Sequence, residues 1–261
     1  DDDAIFCAKL ATSNGIPFHL GHLHEILPTL SSHKQKESSP EARARHCRRA
    51  FFQNVLTSHQ LDFVILAHHR DDQIATFLLR LIRGTSLSGL CGMQPRAGIY
   101  LRPMLAVSKS DLLAVLKEFH RIYCSDATNQ DTRFLRNSVT KKLLPAFDSC
   151  DKRSRNAIER TMANLQQDEE FISHTAHQSY RQLKHSAGPL DLPSLRALHP
   201  ALQHRLLLQL LIEHGIPSII STGYLDELLR FILHGRGGTH QICPGFALSK
   251  KGRLLSVTAT D

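Results

Sequence analysis

Phe63-Val64-Ile65-Leu66-Ala67-His68-His69-Arg70-Asp71-Asp72-Gln73-Ile74 is the stretch on which the fold turns. Its first five residues are apolar without alternation, the pattern of a strand buried on both faces of a parallel sheet. The pattern then becomes helical. Ile74, Phe77, Leu78, Leu81 and Ile82 recur at the spacing of one helix face, and Gly84 stands where a helix C-terminus favours glycine. Ligands of open α/β sheets bind outside the carboxyl ends of strands, and this junction carries two imidazoles and two carboxylates. Helix amides at such a place favour anions, and paired carboxylates favour a divalent cation such as Mg2+. A plainer reading stands beside this one, in which Asp71 or Asp72 caps the helix and the histidines are polar loop residues.

On either side of this stretch the chain alternates strand and helix signals. Ala4 to Thr12 reads as a helix and Pro17 to Leu23 as a strand, and Ser39-Pro40-Glu41 is a helix start whose helix runs to about Thr57. After a glycine-rich loop from Gly84 to Gly98, Ile99 to Leu105 reads as a strand, and Ser108-x-x-Asp111 opens a helix through about Arg121. Strands alternating with helices predict an α/β fold with a doubly wound, mainly parallel sheet. From Arg133 the strand signals stop, and helical patterns cover about 134 to 147, 152 to 184, 200 to 214 and 222 to 234. Short β-like runs (Gln241 to Cys243, Phe246 to Ser249, Leu254 to Thr258) predict a small terminal hairpin. The expected domains are therefore 1–147, an α/β domain, and 148–261, a helical domain with a small β segment.

Composition narrows the partners. The 261 residues carry 32 Lys and Arg against 24 Asp and Glu, a formal charge of +8, with 17 histidines besides. That balance suits a polyanion. Apolar and charged fractions of 41% and 21% are ordinary globular values, which exclude a disordered tail or a fibre. No apolar run approaches the roughly 20 residues of a membrane span. Six scattered cysteines without a C-x-x-C pair fit reduced thiols and a cytoplasmic location.

Two basic clusters stand out. Arg45, Arg48 and Arg49 share one helix face, with Arg43 nearby, and such a stripe either binds phosphates or is simply solvated. Asn129, Asp131, Arg133, Arg136, Asn137, Lys141 and Lys142 form the second. Lys152, Arg153, Arg155 and Arg160 read as surface solvation. His19-x-x-His22-x-His24 is poor metal geometry on a strand, because alternation places His19 on the opposite face from the other two. Neither H-E-x-x-H, a Walker loop nor G-x-S-x-G occurs.

The run from His68 to Thr76, with Arg80-Leu81-Ile82-Arg83-Gly84, Gly89-Leu90-Cys91-Gly92-Met93, Arg102-Pro103-Met104-Leu105, Asp126-Ala127-Thr128-Asn129 and Arg136-Asn137, resembles the bacterial tRNA(Ile)-lysidine synthetases in motif order. Glu41-x-Arg43-Ala44-Arg45-x-x-Arg48 is similar to an upstream helix of that family. The resemblance covers roughly residues 1 to 147 and extends more loosely into the helical half. It implies an N-type ATP pyrophosphatase fold in which ATP activates the C2 carbonyl of the wobble cytidine as an adenylate and the ε-amine of L-lysine displaces AMP. It places Asp72 by lysine or a metal, Arg45 and Arg48 by phosphates, and Arg136 with Asn137 near the reacting nucleotide, so that Asp72, Arg48 and Arg136 are the expected catalytic residues and Arg45 is expected to bind the cofactor. His68, His69 and Asp71 then belong to the nucleotide pocket, and Arg83, Gly84, Asn129 and Lys141 to substrate and tRNA contacts. The implied cofactors are ATP and Mg2+, and the implied partner is the anticodon stem-loop of tRNA(Ile), with a homodimer left open.

Three departures accompany the resemblance. The family's S-G-G-x-D-S pyrophosphate loop does not occur in these residues, and the chain opens on Asp1-Asp2-Asp3 without Met, so a preceding segment is expected to supply it. Ala75 stands where the family has Glu, which either impairs lysine use or shifts it to a carboxylate such as Asp71 or Asp126. Arg49 replaces an aromatic, and Thr140 replaces a basic residue beside Lys141. Three rival readings remain: a non-catalytic tRNA-binding relative, a metal-dependent phosphohydrolase built on His68, His69, Asp71 and Asp72, and a tRNA-thiolating relative, against which the missing cysteine pair counts.

Overall fold

A computed structural model describes residues 2–30, 40–124, 135–184, 188–216, 222–235 and 237–259. The first compact unit extends to Met162. It opens with α1 (Asp2–Ser13), as the sequence predicts. The strand expected from Pro17 to Leu23 is not formed; the chain runs unpaired into a short helix, α2 (Leu23–Ile26), and Ile16, Phe18 and Leu20 are exposed. A strand is held by a neighbour's backbone groups, and local apolar residues cannot supply that neighbour. Next, α3 (Pro40–His59) starts on its proline, buries Cys47 and Leu56, and pairs Arg45 with Glu41 at 3.3 Å across one turn.

The sheet of this unit is small. β1 (Val64–Ile65) runs parallel to β3 (Tyr100–Leu101), which pairs antiparallel with β2 (Arg96–Ala97), giving the order β1-β3-β2. The amides of Val64 and Leu66 donate to the carbonyls of Ile99 and Leu101, each at 2.8 Å. Phe63 and Ile65 are 43% and 69% exposed, so the expectation of burial on both faces does not hold. Among the described residues β1 is an edge strand with one bonded neighbour.

The helix after β1 is α4 (Arg70–Arg83), which buries Ile74, Phe77 and Leu78 and ends at Gly84 with φ +72°. Its inner face also fixes the next loop, which contains the single turn α5 (Leu87–Leu90). The Gln73 side chain donates to the Met93 carbonyl at 2.7 Å and accepts from the Met93 amide at 2.6 Å. Two turns on, Arg80 donates to the carbonyls of Gly89 and Gly92 at 2.6 and 3.0 Å. Then α6 (Lys109–Glu118) begins at Ser108, whose hydroxyl accepts from the Asp111 amide at 3.1 Å, as the sequence predicts. The α7 (Leu135–Ser138) and α8 (Leu144–Cys150) segments are joined by a π-helical turn, Val139–Leu143, and α9 (Ser154–Leu183) comes next.

The second compact unit begins at Ala163, inside α9. It comprises β4 (Leu190–Asp191), α10 (Leu192–Ala197), α11 (Pro200–Glu213), α12 (Thr222–Leu233), β5 (Gly238–Cys243), β6 (Phe246–Lys251) and β7 (Leu254–Ala259). The expected hairpin is part of a four-stranded antiparallel sheet in the order β4-β7-β6-β5. β4 escapes the sequence because two residues carry no periodicity. Leu206, Leu207, Leu210 and Leu211 of α11 are all fully buried, at the centre of a core that includes Leu190, Leu228, Ile232, Leu248 and Leu255. Two cations serve the C-terminal carbonyls of α12. Arg196 donates to Ile232 at 2.8 Å, and the buried Lys250 ammonium donates to Phe231 and His234.

Candidate active site

A cavity of about 530 Å³ lies at the N-terminus of α4, in the first unit. His69, Asp71, Asp72 and Ala75 form one wall, and Lys109 from the start of α6 adjoins them. Arg136, Asn137, Thr140, Lys141 and Leu144 from α7, the π turn and α8 form another wall, and Arg155 from α9 completes the lining.

Helix capping puts the carboxylates there. The Asp72 Oδ2 accepts from the His69 amide at 3.1 Å, closing the first turn of α4, and Oδ1 accepts from Arg136 Nη2 at 2.7 Å. Asp71 reaches across to α6, where its Oδ2 accepts from the Lys109 amide at 2.8 Å, and its Oδ1 is bonded by Arg155. The capping reading of the sequence is realised for both aspartates, and the same two side chains line the cavity. The first amide of α4, that of Arg70, donates to the Val107 carbonyl at 2.9 Å, which fastens α4 to the turn before α6.

The lining carries more cationic than anionic side chains. Lys109, Arg136, Lys141 and Arg155 face Asp71 and Asp72 around one small volume, four cations against two carboxylates, and a cationic concavity concentrates negative ligands. His69 lies between the aspartates, its Nδ1 3.7 Å from Asp71 and its Nε2 3.5 Å from Asp72. The Nδ1 atoms of His68 and His69 are buried and make no hydrogen bond within the described residues. Burial holds the His68 imidazole below its ordinary pKa, with Asp72 opposing and Arg102 and Arg136 pushing the same way as burial.

The donor set bears on Mg2+ as well. Among the described residues no three His, Cys, Asp or Glu side chains gather as a metal cage, and each aspartate already carries an arginine. Mg2+ keeps several waters and joins one or two carboxylates to substrate phosphates, and the carboxylates this cavity would offer such an ion are Asp71 and Asp72.

His69, Asp71, Asp72, Arg136, Asn137 and Lys141, singled out from sequence, are brought together in one cavity. His68 does not line it. Arg45 and Arg48 lie exposed on α3, outside its walls. Arg83 and Gly84 close the far end of α4, about 20 Å along a 14-residue helix. Asn129 falls outside the described residues. Sequence reasoning missed Lys109 and Arg155. Lys109 comes directly after a recognisable N-cap, whereas Arg155 sits in a basic run that reads as solvated, and its tie to the site runs through Asp71, 84 positions away. Ala75 and Thr140, two of the departures from the family pattern, both face this cavity.

Comparison with known proteins places these features. A family model described as the PP-loop domain matches residues 1–147, and one described as the TilS substrate binding domain matches residues 190–247. The tRNA(Ile)-lysidine synthase of Parabacteroides distasonis is 32% identical over 230 residues, 88% of this chain and 51% of that protein. The Bacillus subtilis enzyme of the same name is 30% identical, covering 77% of this chain and 45% of that protein. The chain thus spans about half the length of the curated relatives it matches. Among solved structures, a U34-tRNA thiolase from Methanococcus maripaludis overlaps 63% of this chain and 57% of its own at 16% identity and a TM-score of 0.49, a likeness too low to support an argument. With the helix-capping aspartates and most of the cavity lining inside the matched region, the chain belongs to the PP-loop domain family, and it is similar to the tRNA(Ile)-lysidine synthases.

Proposed function

We propose that this chain takes part in ATP-dependent conversion of the wobble cytidine of tRNA(Ile) to lysidine. The cytidine O2 attacks the α-phosphorus of ATP and pyrophosphate leaves; the ε-amine of L-lysine then attacks C2 and AMP leaves. The observation that supports this reading most is the Asp72–Arg136 pair at the mouth of α4, where motif residues 64 positions apart meet in a cationic cavity. Arg136, Lys141 and Lys109 receive phosphate charge there, and Asn137 contributes an amide to the reacting nucleotide. Asp72 takes the ammonium of lysine or the carboxylate position on Mg2+, which would neutralise the phosphates as pyrophosphate departs. Ala75 adds no charge, so the amine falls to Asp72, Asp71 being paired with Arg155. His68, half-buried between β1 and α4 and outside the cavity lining, adds no charge to the pocket wall.

In this reading residues 1–147 carry the chemistry in the cytosol, and residues 148–261 grip the anticodon stem-loop. Arg45 and Arg48, on the exposed face of α3, meet tRNA phosphates, and so do Arg83 and Gly84 at the far end of α4. The test is transfer of radiolabelled lysine to a tRNA(Ile) transcript with ATP present, read as label retained on the RNA and as AMP formed. Wild-type transfer that falls at least a hundredfold in Asp72→Asn and Arg136→Ala agrees with the proposal. Salt-sensitive tRNA binding without AMP instead favours the non-catalytic relative. Phosphate release that needs neither tRNA nor lysine favours the phosphohydrolase.

A further inference from the structure

The two residues that open α4 carry opposite charges, and α9 answers each of them. Glu159 takes the Arg70 guanidinium, which also donates to Asn156. Arg155, one turn earlier on the same side of α9, takes Asp71 through Nη1. The rest of the Arg155 fork is held by Asp148, with Nε 3.0 Å from Oδ1 and Nη2 2.7 Å from Oδ2. Arg155 lines the main cavity and also a neighbouring one of about 270 Å³, whereas Asp148 lines neither. Arg155 and Asp148 lie between the two family matches, which end at 147 and resume at 190.

We propose that Arg155 is a positioning residue of this site: locked by Asp148, it masks the Asp71 carboxylate so that the cavity keeps the positive charge an incoming polyphosphate requires. Asp71 is only 19% exposed, and without Arg155 its charge faces an anionic ligand in a weakly screened space. The loss therefore counts twice, since one cation leaves and one anion is unmasked. A salt link that served folding alone would have no reason to act through Asp71 on ligand affinity.

This proposal rests on the reading that the cavity takes nucleotide phosphates, and calorimetric titration with ATP and with inorganic pyrophosphate, without tRNA or lysine, separates the two. Arg155→Ala is expected to weaken ATP binding about tenfold or more, and Asp148→Asn by a smaller factor, because its guanidinium is unlocked but present. Arg155→Lys keeps the charge without the fork and stays within about threefold of wild type. The decisive variant is Asp71→Asn in the Arg155→Ala background, which removes the unmasked charge and restores most of the lost affinity. Thermal melts identify any variant that fails to fold, and the conservative Arg155→Lys and Asp148→Asn proteins then carry the test. ATP affinity unchanged in Arg155→Ala, or unrestored by Asp71→Asn, overturns the proposal alone. Wild-type protein that binds neither probe overturns the functional reading and this inference together.

Discussion

Residue by residue, the site is a set of helix caps put to a second use. Asp72 closes the first turn of α4 through the His69 amide and still offers its other oxygen to Arg136. Arg136→Ala should therefore cost only about 1 kcal/mol in urea denaturation, since the pair is part-exposed and the cap survives. Lysine transfer should fall far more than stability does; parallel losses in both would reduce Arg136 to a structural role. His68 gives a pH prediction. Its folded pKa lies below the unfolded 6.5, so the unfolded chain binds more protons across that window. The contribution of His68 to stability is complete above pH 6.5 and is lost as pH falls from there through the lowered value. His68→Gln should flatten that part of the stability profile, and an unchanged slope between pH 7 and 5 would assign the dependence elsewhere. The residues themselves were legible as a motif, but their pairing was not. Arg155 finds Asp71 from 84 positions away, and nothing local in Lys152-Arg153-Ser154-Arg155 distinguishes the arginine that folds inward from those that stay in solvent.

Elements were legible to the degree that their signal is local. The apolar period of α4, the proline start of α3 and the Ser108 cap of α6 each lie within a few residues, and each marks a helix in the structure. Pro17 to Leu23 fails as a strand, and Phe63 to Ala67 shrinks to Val64–Ile65, because a strand exists only by courtesy of a partner elsewhere in the chain. The loop after α4 shows the same limit in the other direction: a glycine-rich stretch reads as loose, yet Gln73 and Arg80 fix it from one helix face. Gln73→Leu should leave the Met93 amide and carbonyl without their side-chain partner and cost about 2–3 kcal/mol. Gly92→Ala meets two penalties, a positive φ of +72° and a Cβ 2.7 Å from Gln73 Oε1, and should cost more than about 1 kcal/mol. Chemical denaturation measures both, and a wild-type midpoint for either would mean that the loop is held by other contacts.

Across the whole molecule, charge is unevenly shared in a way that bears on how RNA would be met. Residues 1–147 hold 19 Lys and Arg against 13 Asp and Glu, while residues 148–261 hold 13 against 11. The cationic excess thus sits in the part assigned to chemistry, and the later part relies on local patches rather than on net field. In the proposed reading a polyanion is drawn first toward residues 1–147, where the exposed arginines of α3 stand clear of the cavity walls. Arg48 and Arg49 are suited to report this, since both are solvent-exposed and neither lines the cavity. The tRNA affinity of the wild-type chain should fall steeply with salt; neutralising as few as two phosphates gives about a tenfold loss between roughly 50 and 200 mM KCl. Arg48→Glu combined with Arg49→Glu should weaken binding and reduce the log–log salt slope by roughly one per lost phosphate contact, with ATP affinity and the melting temperature unchanged. Fluorescence anisotropy with labelled tRNA across that salt range decides it. A slope identical to wild type would move the tRNA path off α3 and onto the patches of the later residues.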